Sequence, residues 1–457
     1  MNRLLTTILL LLVAAAGAED WPTYGHDNRR SHTTPESLSL PLKQAWVYES
    51  PELPQTAWTG PAKWDAYAGN DGLQSMRNFD PAFFVTSSGD SVYFGSSADN
   101  AAHCLDAATG RERWVVFAGS AIRLPPTIDA GRAYFGADDG VAYCVDATTG
   151  TELWRFSPVP DARLIPSNNK LVSPWPIRTG VLVEAGRAYF AASLFPWRKS
   201  YLCAVDATSG DPHFVAEEEG LTLQGALLCS AEKLYAPQGR AAPIVFARDS
   251  GSHIGIVPGT GGVFCILTED EQLVAMPNNQ RSPDSVTKIA APPGSNLPVL
   301  SITGTEHLLV AGRRAYFHQA GMLRAIDRLK FAEAQTALST TPPRVKSLNK
   351  QIGADTSAVD LAQIRSQIEA LESEIPTWKA QLEAARLWQR KHAVPSALIH
   401  AGPHLITGGD GIVAIVDADT GEQVWSAPVR GRVYGLVAAG GRLFASTDHG
   451  YIHAFAP

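Results

Sequence analysis

One phrase recurs along this chain and limits what it can fold into. It reads Leu105-Asp106-Ala107-Ala108-Thr109-Gly110 followed by Trp114, then Val145-Asp146-Ala147-Thr148-Thr149-Gly150 followed by Trp154. It returns as Val205-Asp206-Ala207-Thr208-Ser209-Gly210, with Phe214 in place of Trp, and as Val416-Asp417-Ala418-Asp419-Thr420-Gly421 followed by Trp425. A worn copy is Ala247-Arg248-Asp249-Ser250-Gly251, and in each clear copy the aromatic stands four residues after Gly. The phrase reads as a tight hairpin. The Asp carboxylate accepts backbone N–H groups of the turn, and Thr or Ser adds a second local bond. Gly takes the φ > 0 position that closes the turn. The aromatic rides on the strand that leaves the turn, where packing between neighbouring sheets is worth roughly 1.5–3 kcal/mol through buried area.

A second phrase precedes the first. Ala130-Gly131-Arg132-Ala133-Tyr134-Phe135-Gly136 and Ala185-Gly186-Arg187-Ala188-Tyr189-Phe190 open alternating strands on a Gly turn. Degraded copies begin near Gly89, Ala231, Asp270, Gly312, Gly402 and Gly440, which makes eight units. Short strands in eight repeats predict an all-β fold, an eight-bladed β-propeller, because no single sheet buries both of its faces. The last unit, Gly440 to Phe455, lacks its final strand. The segment Gln44-Ala45-Trp46-Val47-Tyr48 is expected to supply it, closing the ring and removing an exposed edge.

Residues 1–18 carry Arg3, an apolar run from Leu4 to Val13 and Ala16-Gly17-Ala18. This is the pattern of a secretory signal peptide, with the propeller expected over 19–457. No Cys follows the apolar run, so no lipid attachment site is expected, and no later stretch is apolar for long enough to anchor in a membrane. The expected location is periplasmic or secreted. The formal charge of −7, or −8 without Arg3, argues against a nucleic-acid partner. Cys104, Cys144, Cys203, Cys229 and Cys265 lie in apolar strand contexts and read as buried small hydrophobes. An odd count leaves at least one thiol unpaired. Neither a haem-attachment motif nor a zinc spacing is present.

Between Asp327 and Pro395 the pattern changes to Ala, Gln, Glu, Lys and Leu. Leu361, Ile364, Ile368, Leu371, Ile375, Trp378, Leu382 and Ala385 follow steps of three and four, a heptad seam. An α-helical, coiled-coil-like hairpin over 328–394 is expected to protrude from one blade. Thr341-Pro342-Pro343 is expected to interrupt its first helix, and Pro376 to kink or restart the second. The seam packs on its own partner helix, or docks another protein or a second copy of this chain.

Innermost strands of a propeller begin at one mouth of the central channel, and repeat alignment places those starts near Asp80, Arg123, Arg178, Gln224, Gly262 and Tyr434. Arg77, Asp80, Arg123, Arg178 and Gln224 would form a polar ring there, with Arg240 reaching the same side. Convergent guanidinium forks suit a carboxylate or phosphate, hence a small anionic ligand. The alternative is that they bond to loop groups and close the channel. Asp138-Asp139-Gly140, Asp410-Gly411 and Asp448-His449-Gly450 read as turn chemistry and not as metal ligands. His449 and His453 read as strand residues about 13 Å apart, too far to chelate one ion. No nucleophile motif or phosphate loop is present, so no catalytic residue and no metal ligand is assigned.

The Asp-Ala-x-Thr-Gly-x-x-x-Trp phrase resembles the tryptophan-docking motif of the pyrroloquinoline-quinone (PQQ) dependent alcohol dehydrogenases. Trp21-Pro22-Thr23-Tyr24-Gly25-His26-Asp27-Asn28 is similar to their first mature segment. Gly95 to Asn100, Trp175 to Gly180 and Gln224 to Leu228 resemble exported bacterial PQQ-binding-like β-propeller repeat proteins of the planctomycete type. The resemblance implies a quinoprotein-like propeller fold. It does not carry the enzymes' chemistry across. Their vicinal Cys pair has no counterpart, and neither do their Ca²⁺ ligands and catalytic Asp, so PQQ and Ca are unsupported by matching residues. The expectation is a non-catalytic scaffold that binds a protein partner or a small anion. The alternatives are a PQQ/Ca-dependent oxidoreductase with an atypical site, and a polysaccharide- or envelope-binding structural protein.

Overall fold

The computed structural model describes residues 19–58, 79–159, 161, 163–239, 241–258, 260–276, 286–290, 299–353 and 357–457. The signal-peptide expectation for 1–18 lies outside these residues. Within them the chain is a β-propeller. Six antiparallel four-stranded sheets follow one another in sequence order, from Val85–Ser88 in the first to Arg386–Lys391 in the sixth. A seven-stranded sheet completes the ring. It divides by register into two four-stranded units. In one, Ala397–Ala401 pairs with His404–Gly408, and Asp410–Val416 pairs with Gln423–Arg432. In the other, Val433–Ala439, Arg442–Thr447 and Tyr451–Ala456 are joined by Lys43–Glu49. That last strand is the expected closure: Lys43 lies opposite Ala456 and Glu49 opposite Tyr451, so the chain start finishes the sheet that the chain end begins. Counted this way, the described residues hold eight four-stranded units.

The repeat phrase does two jobs at once. Asp146 Oδ1 accepts from the amides of Thr148 (3.0 Å) and Thr149 (2.8 Å), and Asp106, Asp206 and Asp417 repeat the arrangement. Gly110, Gly150, Gly210 and Gly421 all sit at φ between +70° and +79°. The aromatic does not pack on its own turn. Trp114 of the first sheet lies on Gly150 of the second, and its Nε1 donates to Ala147 O at 3.0 Å. Trp154 meets Gly210 and Ala207 O of the third sheet in the same way, and Trp46 meets Gly110 and Ala107 O. Each indole is a clasp between adjacent sheets. Seven of the eight outermost strands shift register by a residue near this aromatic. Such bulges re-aim a side chain and blunt an open sheet edge.

The helical insertion is built into this same turn of the sixth sheet. Helix α1 spans Arg328–Gln351 and helix α2 spans Ala358–Ala384. Asp327 occupies the position of Asp146 and caps α1 by accepting from Lys330 N. The Asp327 amide donates to Ala385 O, as the Asp146 amide donates to Thr151 O. Trp388 follows as the docking residue, lying on Gly421 and donating to Ala418 O at 3.0 Å. The hairpin is therefore an expanded turn that leaves the sheet intact. Three expectations need correction. Residues Arg386–Lys391 are strand and not helix, because Trp388 must reach the next sheet. Helix α1 runs unbroken through Pro342 and Pro343, and α2 does not restart at Pro376. The seam residues from Leu361 to Leu382 are half-buried against α1, and that packing outweighs the amides the prolines lack. His449 sits in a turn and only His453 lies in strand.

All five cysteines are buried free thiols, as their apolar contexts implied. The clasp makes a direct prediction. A Cβ on Gly150 would lie 2.9 Å from the Trp114 ring, whereas Gly186 has the same φ of about +75° with nothing within 4 Å. Urea unfolding should show Gly186→Ala costing about 1 kcal/mol from backbone strain alone, and Gly150→Ala clearly more, about 2–4 kcal/mol.

Candidate functional site: the two ends of the axis

At one end of the axis, the residues just before the innermost strands converge. Asp80 precedes Val85–Ser88, Arg123 precedes Thr127–Asp129, and Arg178 precedes Leu182–Glu184. All three are buried, at 2%, 5% and 2% exposure. Arg123 Nη1 pairs with Asp80, and its Nε donates to Asp138 Oδ2 at 2.7 Å. Arg178 reaches the same carboxylate from the other side, with Nε 2.9 Å from Oδ1 and Nη2 3.0 Å from Oδ2. Asp80 also accepts the Ala57 amide at 2.9 Å, and Arg123 donates to Gln55 O at 3.0 Å. The Trp58 ring covers Arg178, whose guanidinium carbon is 5.4 Å from the ring centroid.

Two arginines and two aspartates thus form a buried chain of equal and opposite charge. Burial pushes the Asp138 carboxyl up, but the charges of Arg123 and Arg178 outweigh it and hold the carboxyl below its usual range. Asp80 faces only one guanidinium closely, and burial wins there and raises it. Burial alone would lower Arg123, but Asp138 and Asp80 keep it firmly protonated.

The structure brings together Asp80, Arg123 and Arg178 of the ring read from sequence. Gln224 is buried just before the first strand of the fourth sheet, and its side chain does not join the chain of charges: its amide is 3.5 Å from Leu194 O and its Oε1 is without a partner. Arg77 and Arg240 lie outside the described residues. Sequence reasoning assigned Asp138 to turn chemistry and so missed the keystone. Its neighbour Asp139 is the turn residue, accepting from Val141 N and Gly119 N. Two consecutive Asp where the matching turns at Asp410 and Asp448 carry one was the available signal.

The other end of the axis is closed by the chain's first described segment. Trp21 exchanges backbone bonds with Ser87, Pro22 O accepts from Ile128 N, and the Asn28 side chain donates to Val183 O. Asn28 O accepts from Cys229 N, Arg29 O from Leu267 N and His32 O from His400 N. One stretch of a dozen residues therefore ties the innermost strands of six sheets together. Arg30 is buried at its centre, donating to Leu227 O at 2.8 Å and to Thr23 Oγ1 at 2.6 Å. Between the two ends, Tyr24 packs edge-on to Phe84 (5.4 Å) in a cluster with Leu124, Ala226 and Tyr434.

The quinone cofactor of related folds brings a divalent or lanthanide cation, which needs free oxygen donors. Among the described residues the donors at the axis do not fit one. Asp80 and Asp138 are engaged by guanidinium groups, and among the described residues no three His, Cys, Asp or Glu side chains are placed to hold a metal.

These repeats, clasps and axial closures define a β-propeller of the PQQ-like repeat class. The chain belongs to the family described as outer membrane protein assembly factor BamB, whose sequence model matches residues 55–212 and 344–456, more than half of its length. Solved structures of similar fold include europium-containing methanol dehydrogenase, with TM-score 0.55 and 11% identity over 96% of this chain and 98% of that one. Quinohemoprotein alcohol dehydrogenase ADHIIG from Pseudomonas putida HK5 is similar at TM-score 0.56 and 12% identity, over 96% and 80%. The computationally designed Ika8 protein is similar at TM-score 0.51 and 12% identity, over 82% and 96%. At such identities the likeness speaks for the fold. No curated protein sequence matches the chain.

Removing the keystone charge should be costly, because it leaves the buried Arg178 without a carboxylate beside an Arg123 that keeps only Asp80. Asp138→Asn is expected to lower stability by about 3–5 kcal/mol in chemical denaturation, while Asp448→Asn, at a half-buried turn position where Asn can still accept the Arg432 amide, changes it by less than about 1 kcal/mol.

Proposed function

We propose that this chain acts as an exported, non-catalytic propeller scaffold of the cell envelope that recognises a protein partner outside its axis. The observation that carries this reading is the axis itself. The position where a propeller of this class would receive a small ligand is occupied by the protein's own Asp80–Arg123–Asp138–Arg178 chain, and the opposite end by residues 21–32. An incoming anion would have to displace Asp138 from both guanidinium groups in a buried site, at the cost of leaving its carboxylate unpaired. Recognition is better served by what projects from the ring. Helix α2 alone extends about 40 Å, and Arg365, Glu369, Glu372 and Lys379 are exposed along it. The family description as an assembly factor is in keeping with a partner-binding role.

A second reading has one observation in its favour. Trp197 is 73% exposed and stacks on Phe195 at 5.0 Å, a platform of the kind that binds envelope polysaccharide. Trp175 does not share that platform, since its Nε1 donates to Lys199 O and Arg198 covers its ring.

The arm can be removed without touching the ring, because its ends match the ordinary turn. Residues 328–385 are replaced by Ala-Thr-Thr-Gly-Thr, the five residues that follow Asp146. Photo-crosslinkers are placed in parallel at Glu369 and Lys379 of the intact protein in cells. The shortened protein should keep its thermal transition, a discrete envelope-protein adduct should form through the arm, and an excess of the shortened protein should compete for that adduct only weakly. No adduct from either position, or the same co-purifying partner with and without the arm, contradicts the reading.

A further inference from the structure

A cleft of about 360 Å³ opens at the root of the helical hairpin, between the outermost strand of the fifth sheet, the sixth sheet and the first turns of the arm. That volume lies within the small-molecule range. Its floor is apolar, made by Ile302, Phe317, Ile326, Phe331 and the edge of Trp388. Its walls are polar, but nearly all of their groups are already used. Gln335 forms a two-way bond with the Ser301 backbone, donating at 2.8 Å and accepting at 3.0 Å. Gln319 donates to Thr303 O, and Arg386 pairs with Glu383 at 3.0 Å.

One group is left over. Arg324 has a single bond from its guanidinium, Nη1 to Gln389 Oε1 at 2.9 Å. Its Nε is buried and has no hydrogen-bond partner, and among the described residues no carboxylate pairs with it. With Arg386 and Glu383 cancelling, the lining carries one net positive charge, beside an apolar floor. A buried, unsatisfied donor on a cation is costly unless something accepts from it.

From this geometry we infer that the cleft is a binding site for a small organic monoanion with an apolar body, its carboxylate on Arg324 and its ring or chain over Phe331 and Ile302. The lining is drawn from the propeller and from both helices of the arm, so an occupant joins the arm's root to the ring. The inference is independent of whether the arm has a protein partner.

The test is calorimetric titration of the full-length mature protein with 4-phenylbutyrate and with 4-phenylbutan-1-ol, which has the same body without the charge. The acid should bind one-to-one and the alcohol roughly tenfold or more weaker, the difference a charge-assisted bond makes. Arg324→Gln should reduce the acid to the level of the alcohol. Hydrogen exchange should slow on acid binding at Phe331–Gln335 and Glu383–Arg386, locating the site. Equal binding of acid and alcohol, full acid affinity in Arg324→Gln, protection elsewhere on the ring, or no binding of the acid up to about 10 mM overturns the inference. Should Arg324→Gln fail to fold, the acid–alcohol comparison and the exchange map on the unaltered protein decide it.

Discussion

The recurring constraint in this ring is an indole of one sheet resting on the turn glycine of the next, seen for Trp46, Trp114, Trp154 and Trp388. The glycine is needed twice, once for a φ near +70° and once because any side chain would meet the indole at under 3 Å. The carbonyl that receives the indole N–H belongs to the Ala beside the turn Asp, so the Asp that shapes the turn also positions the acceptor. Where the clasp is present, a motif of a few residues registers one sheet against its neighbour, a nearest-neighbour contribution to stability. The same logic explains why a helical hairpin is tolerated where it is. Asp327 and Trp388 keep both ends of the clasp, and what lies between them is free to grow.

A ring of sheets leaves an axis that must be filled, and this chain fills it with itself. At one end the filling is electrostatic. A fully buried carboxylate between two guanidinium groups is tolerable only because all three are satisfied together; each alone would be strongly unfavourable. At the other end the filling is backbone, with carbonyls of residues 22–32 accepting from successive innermost strands. The axis is the usual place for a propeller's chemistry, and here its polar groups are turned inward on one another. The arm, whose second helix has no buried residue, and its root, where Arg324 Nε lacks a partner, offer exposed and unsatisfied groups on the outside of the sixth sheet.

Much of this was legible in the amino-acid order because the repeat is local. Asp146 to Trp154 contains the turn, the cap and the clasp within nine residues, and Gln44 to Tyr48 could be matched to the unit missing its last strand. What escaped was whatever depends on pairing distant segments. Asp138 looked like one of several turn aspartates, since nothing local separates it from Asp139; only the approach of Arg123 and Arg178 gives it its role. Trp388 was hidden because the insertion put sixty residues between it and the Asp327 it belongs with. The prolines of α1 and α2 misled for a related reason, as local propensity gave way to packing of one helix on the other.

The central claim, an axis closed by the protein's own charges and backbone, is tested most directly by calorimetric titration of the purified protein with PQQ in the presence of Ca²⁺. The account predicts no heat of binding at high micromolar PQQ. Tight one-to-one binding, followed by dye reduction with alcohols or sugars, would contradict it and make this propeller a quinoprotein enzyme.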